Sequence, residues 1–232
     1  MVSTAACEGS AIHWSYSGEE GPDNWAELSP AYAACDGENQ SPINLTGFIE
    51  ADLQPIVFTY QRGGNEILNN GHTVQVDYIQ GSSIVVDGIR FNLKQFHFHA
   101  PSENHINGKP DPLAVHLVHA DNDGNLAFIA VMFIEGKENK TLAQAWSHMP
   151  EESGDKQALQ SPVAADGLLP SNRDYYRFNG SLTTPLCSEG VRWLIMKESV
   201  SASILQLQAF ARTMQHPNNR PVQPTNARPV LK

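Results

Sequence analysis

Gln95-Phe96-His97-Phe98-His99-Ala100-Pro101-Ser102-Glu103-Asn104-His105 places two histidines two residues apart at the end of an apolar run containing Ile89, Phe91, Leu93 and Phe96. Such a run suits a strand, and side chains on a strand alternate between faces, so His97 and His99 point the same way. Two imidazoles one pleat apart can share a metal ion if a neighbouring strand supplies a third ligand. Pro112-Leu113-Ala114-Val115-His116-Leu117-Val118-His119 offers two candidates. His116 shares its face with Pro112, Ala114 and Val118, which are small; His119 shares its face with Leu113, Val115 and Leu117, which read as core. A metal site needs room for a water, so His116 is the expected third ligand and His119 a core histidine with partners of its own. Three neutral imidazoles and one open position describe a catalytic zinc site. Structural and surface histidines are common, however, and spacing alone does not separate the two readings.

The 232-residue chain is long enough for a sizeable core, and a β-rich chain of this length is commonly one domain. Its hydrophobic content of 41% is that of a globular protein. A formal net charge of −10 and a pI near 5.3 argue against nucleic acid and anionic membrane surfaces as partners, since both attract basic patches. No apolar run approaches the length of a membrane helix. Met1 to Ser10 lacks the apolar core of a signal peptide, so residues 1–12 are expected to be a flexible tail on a mature form, followed by one domain over 13–232. The three cysteines, Cys7, Cys35 and Cys187, form no C-x-x-C and match no zinc pattern.

Strands are expected at Ile56 to Tyr60, Thr73 to Tyr78, Ser83 to Val86, Ile89 to His99, Leu113 to His119, Leu126 to Ile134 and Val191 to Lys197. Turn formers separate them: Gly63-Gly64, Asn70-Gly71, Gly81-Ser82, Asp87-Gly88 and Asp123-Gly124. Asp87-Gly88 between two β-rich runs is a hairpin signal. A short helical turn is expected near Asp23 to Leu28. Longer helices are expected over Lys140 to His148, ending before Pro150, and over Ser201 to Gln215, where Ile204, Leu207, Phe210, Ala211 and Met214 recur at helical spacing and Ser199 or Ser201 can cap. The fold class is mainly β with short peripheral helices: one domain on a large, twisted, mostly antiparallel sheet.

The strings from Gln95 to His105 and from Leu113 to His119, together with Asn179-Gly180-Ser181-Leu182-Thr183-Thr184-Pro185, resemble an α-class carbonic anhydrase. So do His13-Trp14-Ser15-Tyr16, Gly21-Pro22-Asp23-Asn24-Trp25, Asn39-Gln40-Ser41-Pro42-Ile43, Leu68-Asn69-Asn70-Gly71-His72 and Asn219-Arg220-Pro221. The motifs occur in the family's order from His13 to Arg220, and Ala-Pro-Ser-Glu-Asn-His is similar to the bacterial branch. The resemblance implies a zinc enzyme whose metal-bound hydroxide attacks carbon dioxide to give bicarbonate, with small activated esters as secondary substrates. It implies His97, His99 and His116 as ligands, Thr183 and Glu103 as the pair that orients the hydroxide, and Thr184 at bicarbonate. Gln95 matches a partner of a ligand histidine. His72 matches the proton shuttle, with Tyr16, Asn70 and Gln75 ordering the intervening waters. Val118, Phe128, Leu182, Val191 and Trp193 match the carbon dioxide pocket. It also implies a Cys35–Cys187 disulfide, hence a periplasmic or secreted location; a homodimer is kept as an option.

Four positions depart from the family pattern. Ala114 stands where a glutamate usually fixes the tautomer of the third ligand, Phe178 where many members have tyrosine, Phe128 where the pocket usually has valine, and Gln75 where asparagine is commoner. Two other readings are weighed against the enzyme. A carbonic-anhydrase-like binding domain without activity would typically lack a ligand histidine, and none is missing. A zinc hydrolase of another fold would be expected to carry H-E-x-x-H, which does not occur.

Overall fold

A computed structural model describes residues 12–232. Cys7 and the stretch Met1 to Ser10 lie outside the described residues. The strands, in order, are β1 (Asn44–Leu45), β2 (Val57–Thr59), β3 (Arg62–Asn69), β4 (Val74–Tyr78), β5 (Ser83–Val86), β6 (Ile89–His99), β7 (His105–Ile106), β8 (Leu113–Ala120), β9 (Leu126–Glu135), β10 (Lys156–Ala164), β11 (Tyr175–Ser181), β12 (Glu189–Met196) and β13 (Val200–Ala202). The helices are α1 (Trp25–Leu28), α2 (Lys140–Trp146) and α3 (Ile204–Met214), with 3-10 turns at Gly18–Glu20, Pro30–Asp36 and Ala165–Leu168.

Eleven strands form one mixed sheet in the order β10-β3-β4-β6-β8-β9-β12-β11, with β5 on β6, β2 on β5 and β13 on β9. Within this sheet every pairing is antiparallel except β9–β12 and β9–β13, and β1 pairs with β7 in parallel as a separate two-stranded sheet. The central strands are covered on both faces, so alternation sorts residues between two apolar clusters, not between core and solvent. Leu113, Val115 and Leu117 of β8 join Phe96, Phe98, Ile129 and Val131 in the larger cluster, which packs under Leu142 and Ala145 of α2 and Phe210 and Met214 of α3. Ala114 joins Phe128, Ala130, Met132, Phe178, Val191 and Trp193 in the second, with Val118 and Leu182 at its edge. His116 therefore faces the second cluster and His119 the first. His119 is buried and satisfied, with Tyr60 Oη 2.7 Å from its Nε2 and the Ala127 carbonyl 3.2 Å from its Nδ1.

Two expectations are corrected. Gly63-Gly64 is not a turn but the start of β3. A Cβ on Gly63 would lie 2.6 Å from the Tyr78 ring, and one on Gly64 would lie 2.9 Å from Val76, so glycine is needed for close packing between strands. The cap of α3 is Ser203, not Ser199 or Ser201: its hydroxyl accepts from Gln206 N while Gln206 Oε1 accepts from Ser203 N. Ser201 belongs to β13, so the helix starts at Ile204, the first of its spaced apolar residues, and not at Ser201 as expected.

Cys35, in the turn Pro30–Asp36, is disulfide-bonded to Cys187, six residues beyond β11, across a sequence separation of 152. The bond sits in a small cluster with Trp25 and Tyr32. It ties the N-terminal lobe to the loop that carries Thr183. Closing so long a loop is worth up to about 5 kcal/mol in the chain-entropy view. Reduction, or Cys35→Ala with Cys187→Ala, should lower the melting temperature by several degrees, and non-reduced peptide mapping should recover the two cysteines in one linked pair. Two free thiols in protein from an oxidising compartment would contradict this.

Candidate metal centre

Strands β6 and β8 place the three histidines through register alone. His97 lies opposite His116, and His99 opposite Ala114. Ring centroids are 5.1 Å apart for His97–His99, 5.4 Å for His97–His116 and 4.7 Å for His99–His116. One nitrogen from each lies within 4.8 Å of the others, and these three are the group among the described residues with metal-holding geometry. Burial pushes the His97 and His116 pKa values well below the usual imidazole range, and neighbouring histidines push them further. Both rings are therefore neutral at pH 7, the state in which imidazole ligates.

Two of the rings are oriented from behind. His97 Nδ1–H donates to Gln95 Oε1 at 2.9 Å, and His99 Nδ1–H to the Asn218 carbonyl at 2.6 Å. Each bond leaves the Nε2 lone pair facing the shared point. His99 Nε2 and His116 Nδ1 are buried without a protein partner. Imidazole nitrogens from three histidines converging on one point, two of them buried without a protein partner, fit a divalent cation.

Glu103 is fully buried beside them, its Oε2 3.5 Å from His99 Nε2 and 3.8 Å from His116 Nδ1. Burial raises its pKa; His99, the Arg220 backbone N–H and the Thr183 hydroxyl act in the opposite direction. Its Oε1 accepts from Arg220 N at 2.9 Å. The Arg220 guanidinium is pinned in turn by Gln40 Oε1, the Ser41 carbonyl and the Cys35 carbonyl at 2.7, 2.9 and 2.8 Å. Burial lowers its pKa to about 10, so it stays charged at neutral pH.

The apolar wall stands opposite. Val118, Phe128 and Trp193 occupy one row across β8, β9 and β12, because Val118 pairs with Phe128 and Phe128 with Trp193. The Trp193 ring lies 4.9 Å from His116 and 5.0 Å from Phe128, edge to face. Phe178 stacks on the far side of Trp193 at 6.1 Å. Val191 is buried in the same cluster and Leu182 packs at its rim. Thr183 is buried and Thr184 half-buried in the loop after β11.

His72 is half-buried and stacked on Trp14 with ring centroids 3.7 Å apart. It shares a cavity of about 190 Å³ with His13, Tyr16 and His216. Burial lowers its pKa, and so do His13 and His216. The Tyr16 hydroxyl is buried without a hydrogen-bond partner, and burial, with a smaller contribution from the Glu103 charge, raises its pKa. Asn70 Oδ1 accepts from the His72 and Thr73 backbone N–H groups at 2.9 and 2.8 Å, so it shapes the turn carrying His72. Gln75 lies opposite His97 in β4 and donates to Asp77 Oδ1 at 2.6 Å.

The residues that sequence reasoning missed are Asn218 and, as a support, Arg220. Besides its carbonyl on His99, Asn218 accepts from Ala100 N and donates to the His72 and Phe98 carbonyls. A main-chain oxygen acting as the partner of a ligand leaves no side-chain signature to read.

A set of three imidazoles converging on one point, carried on a single large twisted sheet, defines a metalloenzyme of the three-histidine kind. The family model described as eukaryotic-type carbonic anhydrase matches residues 20–232. A carbonic anhydrase from Pectobacterium carotovorum is 46% identical over 222 residues, covering 95% of this chain and 91% of that protein. The structure of the α-carbonic anhydrase from Thermovibrio ammonificans with the inhibitor sulfanilamide is similar at 50% identity with a TM-score of 0.94, covering 95% and 99% of the two chains. The α-carbonic anhydrase of Photobacterium profundum is similar at 44% identity with a TM-score of 0.90, over 95% and 100%. The chain belongs to the eukaryotic-type, or α, carbonic anhydrase family, whose reaction is the reversible hydration of carbon dioxide.

Proposed function

We propose that this chain hydrates carbon dioxide with a zinc ion held by His97 Nε2, His99 Nε2 and His116 Nδ1. The observation that carries the assignment is the convergence of one nitrogen from each of the three histidines, with His99 Nε2 and His116 Nδ1 buried and without a protein partner. A bound zinc supplies the Lewis-acid charge that makes hydroxide available from water at neutral pH, an effect for which carbonic anhydrase is the standard illustration.

The protein's own part is positioning. Thr183, by donating its hydroxyl hydrogen to Glu103, can only accept a hydrogen bond from the nucleophile, which turns a nucleophile lone pair toward the substrate. Glu103 is kept as an acceptor for that role by Arg220, whose backbone N–H occupies the other carboxylate oxygen. Val118, Phe128, Leu182, Val191 and Trp193 form the apolar wall against which carbon dioxide, itself apolar, rests, and Thr184 serves the bicarbonate oxygens. His72 carries the released proton toward solvent, with Tyr16, Asn70 and Gln75 ordering the waters between. Its lowered pKa keeps it an unprotonated acceptor at neutral pH.

The disulfide supports a periplasmic or extracellular location. Among the described residues no helix is long and apolar enough to cross a membrane. The acidic net charge supports a small-molecule enzyme without a nucleic-acid partner.

His97→Ala, His99→Ala and His116→Ala should each lose zinc, read by elemental analysis, and nearly all hydration activity, read by stopped flow. Full activity with zinc retained in one of them would remove that residue from the ligand set. His72→Ala should slow turnover in weak buffer on the order of 10²-fold, the lower end of what a general acid-base group contributes, and imidazole buffers should restore it. Unchanged turnover at low buffer would mean that the proton leaves by another route.

Phe128 narrows the pocket, because a phenyl ring fills the row between Val118 and Trp193. Hydration of the small substrate survives, whereas hydrolysis of larger activated esters is weak. Phe128→Val should therefore raise kcat/KM for ester hydrolysis more than for hydration. If both activities stay flat and only stability falls, by the few kcal/mol or less expected of a core cavity, Phe128 does not gate the pocket.

A further inference from the structure

Two of the three converging histidines are held from behind, and the third is not. His116 Nδ1 is the nitrogen on the site side: it lies 3.8 Å from Glu103 Oε2, the same oxygen that lies 3.5 Å from His99 Nε2. Nε2 is therefore the rear nitrogen, and it is buried with no hydrogen-bond partner. Its surroundings explain why. Ala114 and Val118 flank His116 on the same face of β8, and Ala130 stands opposite on β9. Trp193 closes in edge-on at 4.9 Å and Phe128 at 6.5 Å. None of these side chains has an acceptor. His97 and His99, by contrast, each have one within 2.9 Å.

A ligand histidine ordinarily gives its second N–H to a carboxylate, a carbonyl or a water, which selects the ligating tautomer, fixes the ring and strengthens the donor nitrogen. Ala114, two residues before His116 on the same face of β8 and fully buried, carries no acceptor, and His116 Nε2 is left without a protein partner. His116 keeps its orientation through the edge of Trp193 and the flanking alanines. Packing of this kind limits where the ring can sit but does not choose which nitrogen carries the hydrogen.

We infer that His116 is the labile arm of the metal centre, and that the missing acceptor at Ala114 sets how readily this chain releases its ion. The inference rests on the three-histidine reading of the site. It makes position 114, which touches neither substrate nor metal, a positioning residue for the ligand beside it.

The test follows zinc release, not turnover. Zinc-loaded protein is mixed with excess EDTA, and retained metal is measured over time for the wild type, Ala114→Glu and Ala114→Gln. Supplying an acceptor should slow release by about 10–100-fold for the glutamate, and by less for the neutral glutamine. Unchanged or faster release, in variants whose melting temperature matches the wild type, would overturn the inference. Where the pocket rejects the longer side chains and the variants unfold, the wild type decides by nitrogen-15 NMR of the zinc-loaded protein. The His116 Nε2–H proton should resonate upfield of the hydrogen-bonded Nδ1–H protons of His97 and His99. An equally downfield, equally protected resonance would mean that an acceptor is present, and the inference fails. A failure of the underlying reading looks different: His116→Ala would then hold zinc as tightly as the wild type.

Discussion

The antiparallel register between β6 and β8 is the constraint on which the site depends. With His97 opposite His116, three imidazoles share one side of the sheet. A slip of one residue would turn His116 into the helix-covered cluster and bring His119 to the site face. Both faces here are buried, so such a slip would not merely expose apolar residues. It would drive Leu113, Val115 and Leu117 into the space occupied by Phe128 and Trp193, and send Ala114 beneath α3. The size difference between the two faces of β8, small residues on one and large on the other, enforces the register and leaves room at the metal point.

That strand pair is fastened by segments distant in sequence. Asn218 reaches His99, Ala100, Phe98 and the His72 carbonyl, so one buried residue couples the metal strand to the turn carrying His72. Two residues later, Arg220 joins Glu103 to Gln40, Ser41 and Cys35. A charged group as buried as this guanidinium is tolerated because its environment supplies acceptors. Cys35 in turn is bonded to Cys187, in the loop that also carries Thr183. The N-terminal lobe, the threonine loop and the C-terminal segment thus meet at Glu103, which explains why motifs spread over nearly the whole chain belong to one site.

How much was legible follows from the kind of signal each residue gives. Strands β5, β6, β8, β9 and β12 announced themselves through β-branched and aromatic runs between turn formers, and the choice of His116 over His119 came from neighbour size alone. Strand β10, with an exposure pattern broken by only two buried residues, carries no alternation to detect. Strand β3 opens on Gly63-Gly64, which sequence rules read as a turn, whereas here the glycines permit close approach to Tyr78 and Val76. The cap of α3 was misplaced because three serines are in reach and only the tertiary contact of Gln206 with Asn139 favours Ser203. Asn218 was invisible because the group that matters is its carbonyl. Residue roles at the site came from resemblance, since no spacing rule links Thr183 to Glu103 across 80 residues.

The two sides of the site have different physics. On one side, Glu103, Thr183, Arg220 and Tyr16 form a dense polar group in a buried place, where field effects are strong and each partner's absence would be costly. On the other, Ala114, Phe128, Phe178 and Trp193 form a continuous apolar wall in which Trp193 is packed between two phenyl rings. Three of the departures from the family pattern, at Ala114, Phe128 and Phe178, fall on this wall, and all three put hydrocarbon at the site. An acceptor at position 114 would be an ionised group among phenyl rings, which only a hydrogen-bonded partner could make tolerable. Substituting one of these positions alone therefore changes the setting of the other two, and their effects on His116 should not be expected to add.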